Sequence, residues 1–260
     1  MDITTLGKVA LVTGAAQGIG RAVGVALARS GVAGICVVDR DRKNGEAVTE
    51  ELRSLGTQAR FVLAELAEPL AAREIVHRCI GEFGRVDYLV NAAGRTDRGS
   101  VANSTVDLWD TLFAVNARAP AFLMQHCIAD MLARHASGSI VNILSMNIHC
   151  GSRDLAIYSA SKAALALLTK NAAQAHRFDR IRVNGINVGW TATPAEMKMQ
   201  SETLGKGGDW LEAAERAQPF GRLIAPEDVA KLALFLLSEA SLPMTGSLID
   251  QEQWVSGHAD

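Results

Sequence analysis

The apolar positions of the chain fall into seven short runs, and longer amphipathic stretches separate these runs from one another. The runs are rich in Val, Ile and Leu and mostly lack alternation with polar residues, which is typical of strands buried on both faces. The stretches between them have the pattern of helices. Strands are predicted at 8–13, 34–39, 58–63, 86–90, 139–144, 181–188 and 247–250, and helices near 18–30, 41–55, 68–83, 105–133, 156–177 and 226–238.

Strand and helix alternate along almost the whole chain. This alternation predicts an α/β fold in which a doubly wound parallel sheet carries helices on both faces. No Pro/Gly/Ser-rich or charge-rich linker and no fixed-period repeat interrupts it, so residues 1–260 are predicted to form one domain. In such sheets ligands bind beyond the carboxyl ends of the strands, near the point where the strand order reverses.

Composition narrows the classes of ligand. The formal net charge is −2, and acidic and basic residues are interspersed, so nothing indicates a nucleic acid or an anionic membrane as partner. No apolar run reaches the roughly 20 residues of a membrane helix, and the N-terminus lacks a signal-peptide pattern, so a cytoplasmic location is expected. The 4 cysteines form no C-x-x-C pair, which argues against a metal site. A small molecule is therefore the expected ligand.

A glycine-rich segment, Thr13 to Gly20, follows the first predicted strand and opens the first predicted helix. Gly14 permits a tight turn, Gly18 lets the backbone approach a pyrophosphate, and Gly20 allows close packing of helix on strand. The N–H groups of the helix N-terminus would then receive the phosphates. Asp39 lies 19 residues after Gly20, where an acidic residue accepts hydrogen bonds from ribose hydroxyls. Together these features predict a dinucleotide site in a Rossmann-type fold.

A second group of polar residues follows the fifth predicted strand. Ser145 comes directly after the strand, and Tyr158 and Lys162 open an apolar helix thirteen residues further on. A spacing of four places Tyr158 and Lys162 on one helical face. An adjacent ammonium would lower the pKa of the phenol from about 10 and bring it into the working range of an acid/base. The segment therefore predicts proton transfer beside the dinucleotide.

These features resemble the short-chain dehydrogenase/reductase family in its compact single-domain branch, and the resemblance extends from Thr13 to Gly246. The resemblance implies hydride transfer between a nicotinamide cofactor and a secondary alcohol or its ketone. The matching motifs are Thr13-Gly14-x3-Gly18-x-Gly20, Asn91-Ala92-Ala93-Gly94, Asn116, Ser145 and Tyr158-x3-Lys162.

The resemblance also implies a role for individual residues. Tyr158 would be the general acid/base, Ser145 would polarise the substrate oxygen, and Lys162 would lower the pKa of the tyrosine and hold the nicotinamide ribose. Asn116 would anchor a water of the proton relay. The implied cofactor-binding residues are Gly14, Gln17, Gly18, Ile19, Gly20, Asp39, Arg40, Glu65, Leu66, Asn91, Ala92, Ala93, Gly94, Tyr158, Lys162, Gly189, Thr191 and Thr193.

The sequence departs from the family pattern at four places. Ala92 replaces a second Asn, and Val188 replaces the Pro of a P-G turn after the sixth strand. Glu65 stands where an Asp commonly contacts the adenine, and residues 250–253 replace a D-G-G motif. The change at Glu65 affects the expected adenine contact, and the change at Val188 affects the loop on the nicotinamide side. The change at residues 250–253 affects the tail beside the pocket.

Substrate contacts are expected from the loops that follow the fourth, fifth and sixth strands. Arg95, Asn147, His149 and Trp190 make this region more polar than an acyl chain or steroid needs, which favours a polyol or sugar. The segment 189–220 contains three closely spaced glycines, as suits a mobile lid over the site.

The preferred dinucleotide is predicted to be NAD. Asp39 would repel a 2′-phosphate, and Gln17 is neutral at a position where NADP-binding relatives commonly carry a basic residue. Arg40 tempers this preference because a guanidinium can pair with a phosphate.

A homotetramer is the expected assembly. The resemblance implies it, and the helix near 156–177 carries apolar residues beyond those that cover the sheet. These residues include Ala164, Leu167, Leu168 and Ala172.

Three other functions stay open at this point. An NADP-dependent carbonyl or 3-oxoacyl reductase would use the same catalytic residues. An isomerase or lyase of the related sugar-nucleotide group also uses Tyr and Lys, but resembles longer chains with a different glycine pattern. A catalytically silent dinucleotide-binding protein is the third, and the joint presence of Ser145, Tyr158, Lys162 and Asn116 argues against it.

Overall fold

A parallel sheet of seven strands forms the centre of the molecule, for which a computed structural model describes residues 3–256. The strands are β1 (Val9–Thr13), β2 (Gly34–Asp39), β3 (Gln58–Leu63), β4 (Tyr88–Asn91), β5 (Gly138–Ile143), β6 (Ile181–Val188) and β7 (Leu248–Gln251). Their order is β3-β2-β1-β4-β5-β6-β7, which reverses between β1 and β4. This confirms the predicted doubly wound α/β fold and places a crevice at the carboxyl ends of β1 and β4.

Helices cover both faces of the sheet. They are α1 (Gly18–Arg29), α2 (Arg42–Ser54), α3 (Ala71–Phe83), α4 (Val106–Phe113), α5 (Ala119–Ala133), α6 (Ala156–Ala175), α7 (Pro194–Lys198), α8 (Trp210–Arg216) and α9 (Pro226–Leu237). One apolar core lies under α1, α2 and α9, and the other lies under α3, α5 and α6. Successive strand residues point to opposite faces, so Leu11 enters the second core while its neighbours Ala10 and Val12 enter the first.

The long helix predicted at 105–133 is interrupted. Residues Ala114–Arg118 form a π-helical turn between α4 and α5. A π turn contains one residue more than an α turn, and such turns occur mostly at functional sites. Every side chain from Ala114 to Ala117 is buried, so the apolar pattern continues through the interruption and does not reveal it.

The segment 189–220 contains short helices that the sequence pattern did not resolve. The helix α7 runs into a second π turn, Met199–Thr203, and α8 follows after a glycine-containing loop. Its mobility as a lid stays a prediction. No helix within residues 3–256 combines the length and the apolar character needed to cross a membrane.

Candidate active site

The glycine-rich segment after β1 turns the chain sharply into α1. Gly18 has a φ of +53°, a conformation that side chains with a Cβ rarely adopt. A Cβ on Gly20 would lie 2.3 Å from the carbonyl oxygen of Gly14, so only glycine permits this close packing of helix on loop. The side chain of Gln17, the residue before α1, does not cap the helix. The first N–H groups of α1 therefore stay available for an anionic group.

Asp39 is held rigidly at the end of β2. One carboxylate oxygen accepts a hydrogen bond from the backbone N–H of Ala16 (3.0 Å), and the other accepts one from the N–H of Asp41 (3.0 Å). The neighbouring Arg40 forms an ion pair with Glu65 at 3.6 Å. The carboxylate thus faces the crevice in a fixed orientation, while the guanidinium beside it already has an acidic partner.

Asn91 supports the crevice from below. Its amide donates a hydrogen bond to the side-chain oxygen of Asn142 (2.8 Å), and the amide of Asn142 donates one to the hydroxyl of Thr169 (2.8 Å). This buried chain of polar groups links β4 to β5 and α6. Asn91 therefore fixes the sheet beneath the cavity and does not line it. The next three residues, Ala92, Ala93 and Gly94, form part of the cavity wall.

Asn116 lies in the π turn and anchors the loop after β4. Its side-chain amide donates hydrogen bonds to the backbone oxygen of Arg95 (2.9 Å) and to the hydroxyl of Ser161 (3.0 Å). Its side-chain oxygen accepts one from the N–H of Arg95 (2.9 Å). Asn116 is fully buried behind Gly94, where an added Cβ would lie 3.6 Å from its side-chain oxygen. The residue thus connects the loop, the π turn and α6.

Three of the four expected catalytic side chains, Ser145, Tyr158 and Lys162, line one cavity, and Asn116 lies behind its wall. Ser145 follows β5 and caps the short turn Met146–Ile148, where its hydroxyl oxygen accepts a hydrogen bond from the N–H of Asn147 (3.2 Å). Tyr158 and Lys162 both come from α6. The Lys162 ammonium donates a hydrogen bond to the backbone oxygen of Ile143 at 2.8 Å, and a Cβ on Gly94 would approach it to 3.4 Å.

Burial controls the protonation of both α6 side chains. It raises the pKa of the Tyr158 phenol above its ordinary value, and the Ser145 hydroxyl opposes this by lowering the pKa. Among more distant groups, the Glu196 carboxylate raises the pKa of Tyr158 and the Arg98 guanidinium lowers it. Burial also lowers the pKa of Lys162 to about 8. The sequence predicted that the Lys162 ammonium lowers the pKa of Tyr158. In this geometry burial is the largest influence and raises that pKa, so the lowering by Lys162 stays a prediction.

The residues expected to contact substrate fall into two groups. Arg95, Asn147 and Trp190 line the cavity, although one edge of the Arg95 guanidinium donates hydrogen bonds to both oxygens of the Asp97 carboxylate at 2.8 and 3.0 Å. His149 does not line the cavity: its Nε2 lies 2.9 Å from the carboxylate of Asp250. Asp250, in the tail that departs from the family pattern, thus holds His149 away from the cavity wall.

The wall of the cavity, whose volume is about 830 Å³, contains every predicted site residue except Asn91, Asn116 and His149. The residues of the lid contribute as well, and Thr193 comes close enough to Gly18 that a Cβ there would lie 3.4 Å away. This single cavity contains the uncapped N-terminus of α1, the carboxylate of Asp39, and the side chains of Tyr158 and Lys162 on α6. They fit an extended dinucleotide whose nicotinamide end reaches Tyr158.

Sequence reasoning missed several charged residues of this wall. Arg98, Glu196, Lys206 and Glu252 all line the cavity, as does the buried amide of Gln200. A helical spacing of four links Glu196 to Gln200 and could have indicated a shared face. Nothing in the local sequence indicates that this face turns toward Tyr158, because the lid returns to the site through tertiary packing.

A sequence profile described as Enoyl-(Acyl carrier protein) reductase matches residues 14–251. The short-chain dehydrogenase/reductase FrzI of Cladobotryum sp is 31% identical over 94% of this chain and 94% of its own. The 3-oxoacyl-(acyl-carrier-protein) reductase FabG of Chlamydia pneumoniae is 30% identical over 96% of this chain and 97% of its own. The chain therefore belongs to the short-chain dehydrogenase/reductase family, as its motifs predicted.

Solved structures define the class of reaction. The chain resembles L-sorbose reductase from Gluconobacter frateurii, complexed with NADPH and L-sorbose, with a TM-score of 0.93 at 28% identity over 100% of both chains. An NAD+-bound xylitol dehydrogenase gives 0.87 at 27% identity, over 96% of this chain and 99% of that one. The protein is an oxidoreductase that uses a nicotinamide dinucleotide and acts on CH–OH or keto groups.

Proposed function

We propose that the protein interconverts a secondary alcohol and its ketone with NAD, and that the substrate is a polyol or sugar. The observation that carries this proposal is the convergence of Ser145, Tyr158 and Lys162 on the cavity that also holds the glycine loop and Asp39. When bound, the dinucleotide accepts or supplies the hydride. All proton chemistry falls to the side chains of the protein.

Tyr158 transfers the proton at the substrate oxygen. Ser145 is positioned to donate a hydrogen bond to the same oxygen, because its own oxygen is fixed by the Asn147 N–H while its hydrogen stays free to turn toward the cavity. Lys162 carries charge at neutral pH, since its pKa of about 8 lies above 7. Asn116 holds the loop that forms the wall beside Lys162, which keeps the proton path in place.

The proposal of NAD over NADP rests on Asp39. Two backbone N–H groups hold its carboxylate at the end of β2, so it cannot turn away from a 2′-phosphate without losing both hydrogen bonds. Arg40 would have to leave Glu65 to neutralise such a phosphate. Both features favour a free ribose hydroxyl.

Steady-state kinetics with both dinucleotides test this preference. We expect a higher kcat/KM with NAD, and Asp39→Ala should reduce the NAD/NADP ratio by about 10-fold or more because it removes the repulsion while keeping Arg40. Glu46→Ala, an exposed acidic residue of α2 outside the cavity wall, is the control and should leave the ratio unchanged. A wild-type protein that prefers NADP would contradict the proposal.

The proposal of a polyol or sugar rests on the polar wall around Tyr158 and on the likeness to enzymes named for L-sorbose and xylitol. Initial rates with polyols, ketoses, hydroxy acids and hydroxyacyl thioesters, followed at the absorbance of the reduced nicotinamide, test it. Polyols or ketoses should have the highest kcat/KM.

The second candidate is an NADP-dependent 3-oxoacyl reductase. It is favoured by the identity to FabG and by the likeness to an NADP-bound 3-oxoacyl reductase of Agrobacterium tumefaciens, with a TM-score of 0.86 at 27% identity over 96% of this chain and 94% of that one. A clear preference for acyl thioesters in the same panel would establish this candidate instead.

We also propose a homotetramer. Apolar side chains of α4, α5 and α6 are exposed, including Trp109 (45%), Phe122 (44%) and Leu167 (61%). The Trp109 ring stacks on Phe113 at 4.4 Å, which gives this surface a rigid aromatic patch suited to a subunit contact. Light scattering at micromolar concentration should give four times the chain mass of 27.7 kDa, and a stable monomer would contradict the proposal.

A further inference from the structure

Two opposite charges line the cavity that contains the catalytic phenol, and they form no ion pair with each other within residues 3–256. Glu196 comes from α7 in the lid and Arg98 from the loop after β4, and both line the cavity. Their electric fields act on Tyr158 in opposite directions, as their effects on its pKa show. Within residues 3–256, Arg98 forms neither an ion pair nor a hydrogen bond with its side chain, and Glu196 forms no ion pair.

The Glu196 carboxylate is oriented by two neighbours through a single oxygen. The indole N–H of Trp190 donates a hydrogen bond to Oε1 (2.9 Å), and the side-chain amide of Gln200 donates a second to the same atom (2.5 Å). The other oxygen, Oε2, has no hydrogen-bond partner among the described residues. One half of the carboxylate is thus fixed, and the other half stays free to accept.

Gln200 adds a second unused acceptor in the same corner. The residue is 96% buried, and its side-chain oxygen has no hydrogen-bond partner within the described part of the chain. A buried polar atom without a partner costs free energy, so such atoms are rare unless a ligand or water completes them. This corner of the cavity therefore contains two acceptor atoms, Glu196 Oε2 and the Gln200 side-chain oxygen, that have no hydrogen-bond partner among the described residues.

We propose that Glu196 accepts a hydrogen bond from a substrate hydroxyl near the reacting carbon, which makes it the residue that selects a polyhydroxylated substrate. The inference rests on the proposed function and assigns the selectivity to one side chain. A hydroxyl fits better than an ammonium because two cationic side chains, Arg98 and Lys206, line the same cavity and would repel a cation. A second hydroxyl could accept a hydrogen bond from Arg98.

Glu196→Gln tests the assignment with little disturbance. The glutamine oxygen keeps an acceptor for the Trp190 N–H, but an NH2 group replaces Oε2, so the free atom changes from acceptor to donor. Glu202→Gln on the following turn is the matched control, because Glu202 is exposed and pairs only with Lys198 among the described residues. Thermal unfolding verifies that both variants are folded.

The substrates are xylitol, D-sorbitol, the monoalcohol 2-pentanol and the amino alcohol 1-amino-2-propanol. Glu196→Gln should lower kcat/KM for the two polyols by about 10- to 100-fold and that for 2-pentanol by less than about 3-fold. Glu202→Gln should match the wild type throughout. Three results would overturn the proposal. The first is an equal loss of kcat/KM on the polyols and 2-pentanol in Glu196→Gln, and the second is a loss in that variant on the amino alcohol alone. The third is a wild type that oxidises 2-pentanol but neither polyol.

The pH profile supplies a readout that a purely structural role would not change. Removal of the Glu196 charge should lower the pKa of Tyr158, so the limb of kcat/KM for alcohol oxidation that requires the phenolate should move to lower pH, with 2-pentanol as well. A limb that does not move would contradict the placement of Glu196 beside the phenol.

Tryptophan fluorescence separates this inference from the proposed function. Xylitol should change the emission of the wild type, because Trp190 hydrogen-bonds to Glu196 and stacks with Trp210. The midpoint should rise by about 10-fold or more in Glu196→Gln. If xylitol binds in this way but no substrate is turned over, the proposed function fails while the recognition by Glu196 stands. If no polyol changes the emission, the recognition itself is wrong.

Discussion

The two ends of the cavity are built in different ways. At the dinucleotide end, backbone atoms make the shape: α1 packs directly on the glycine loop at Gly20, and backbone N–H groups hold Asp39. At the substrate end, side chains make the holding contacts: Trp190 holds Glu196 within the lid, and Gln253 of the tail holds the backbone of residues 220–222. The first end should therefore tolerate few changes of backbone, whereas single side chains should retune the second.

The largest expected effect lies where the two ends meet. Tyr158→Phe should lower kcat by about 10³-fold, because it removes the group that transfers the proton. The affinity for NADH, followed by its fluorescence, should change little, since the glycine loop and Asp39 stay intact. Tyr88→Phe alters a buried tyrosine outside the cavity wall and is the control. Substantial residual activity would mean that another group supplies the proton.

The dinucleotide end should be sensitive to a single methyl group. A Cβ in Gly20→Ala would meet the Gly14 oxygen at 2.3 Å, so the loop must shift, and we expect a loss of about 1–3 kcal/mol in the free energy of unfolding together with weaker NADH binding. Gly208→Ala in the lid meets nothing within 4 Å and should change neither property. Denaturant unfolding and NADH titration measure both. Equal effects of the two substitutions would remove the contrast between the ends.

The buried Lys162 should make stability depend on pH. Its pKa is lowered from 10.5 to about 8 in the folded state, so the unfolded chain binds the proton more tightly. The cost of burying the charge is present in full below pH 8 and disappears as the pH rises toward 10.5.

We compare the free energy of unfolding of Lys162→Met with that of the wild type in the absence of dinucleotide. The wild type is relieved of the buried charge as the pH rises, so the advantage of the variant should fall by about 2 kcal/mol between pH 7 and pH 10. The lost hydrogen bond to Ile143 adds a constant offset, so the slope is the test. Lys170→Met removes an exposed lysine of the same helix and should give no such slope. Urea unfolding at several pH values provides the measurement.

The smallest effect is expected at the contact between tail and lid. Gln253 donates a hydrogen bond to the backbone oxygen of Arg222 (2.7 Å) and accepts one from the N–H of Phe220 (3.0 Å). Gln253→Ala should raise KM for the substrate about 2- to 5-fold and speed hydrogen exchange at Phe220, because each exposed bond contributes modestly. Gln174→Ala on the surface of α6 serves as the control. Unchanged exchange would show that the tail does not hold the lid.

The fold and the dinucleotide end could be predicted because short-range spacing encodes them. Each predicted strand lies within two residues of an observed strand, and the wall contains Gly14, Gly18, Gly20 and Asp39. The substrate end could not be predicted in the same way. His149 lies outside the wall because Asp250, about 100 residues further along the chain, holds its ring, and Glu196 joins the wall that contains Tyr158 through the packing of the lid.

The π turn at Ala114–Arg118 bears on how the gene can change in length. Each residue of an α-helix advances the chain by about 100°, so one residue more or fewer rotates everything downstream by that angle. Loss of one codon here would turn either Asn116 away from the backbone of Arg95 or α5 away from the core that it covers. Substitutions at the exposed Arg118 should be tolerated far better than any deletion between α4 and α5.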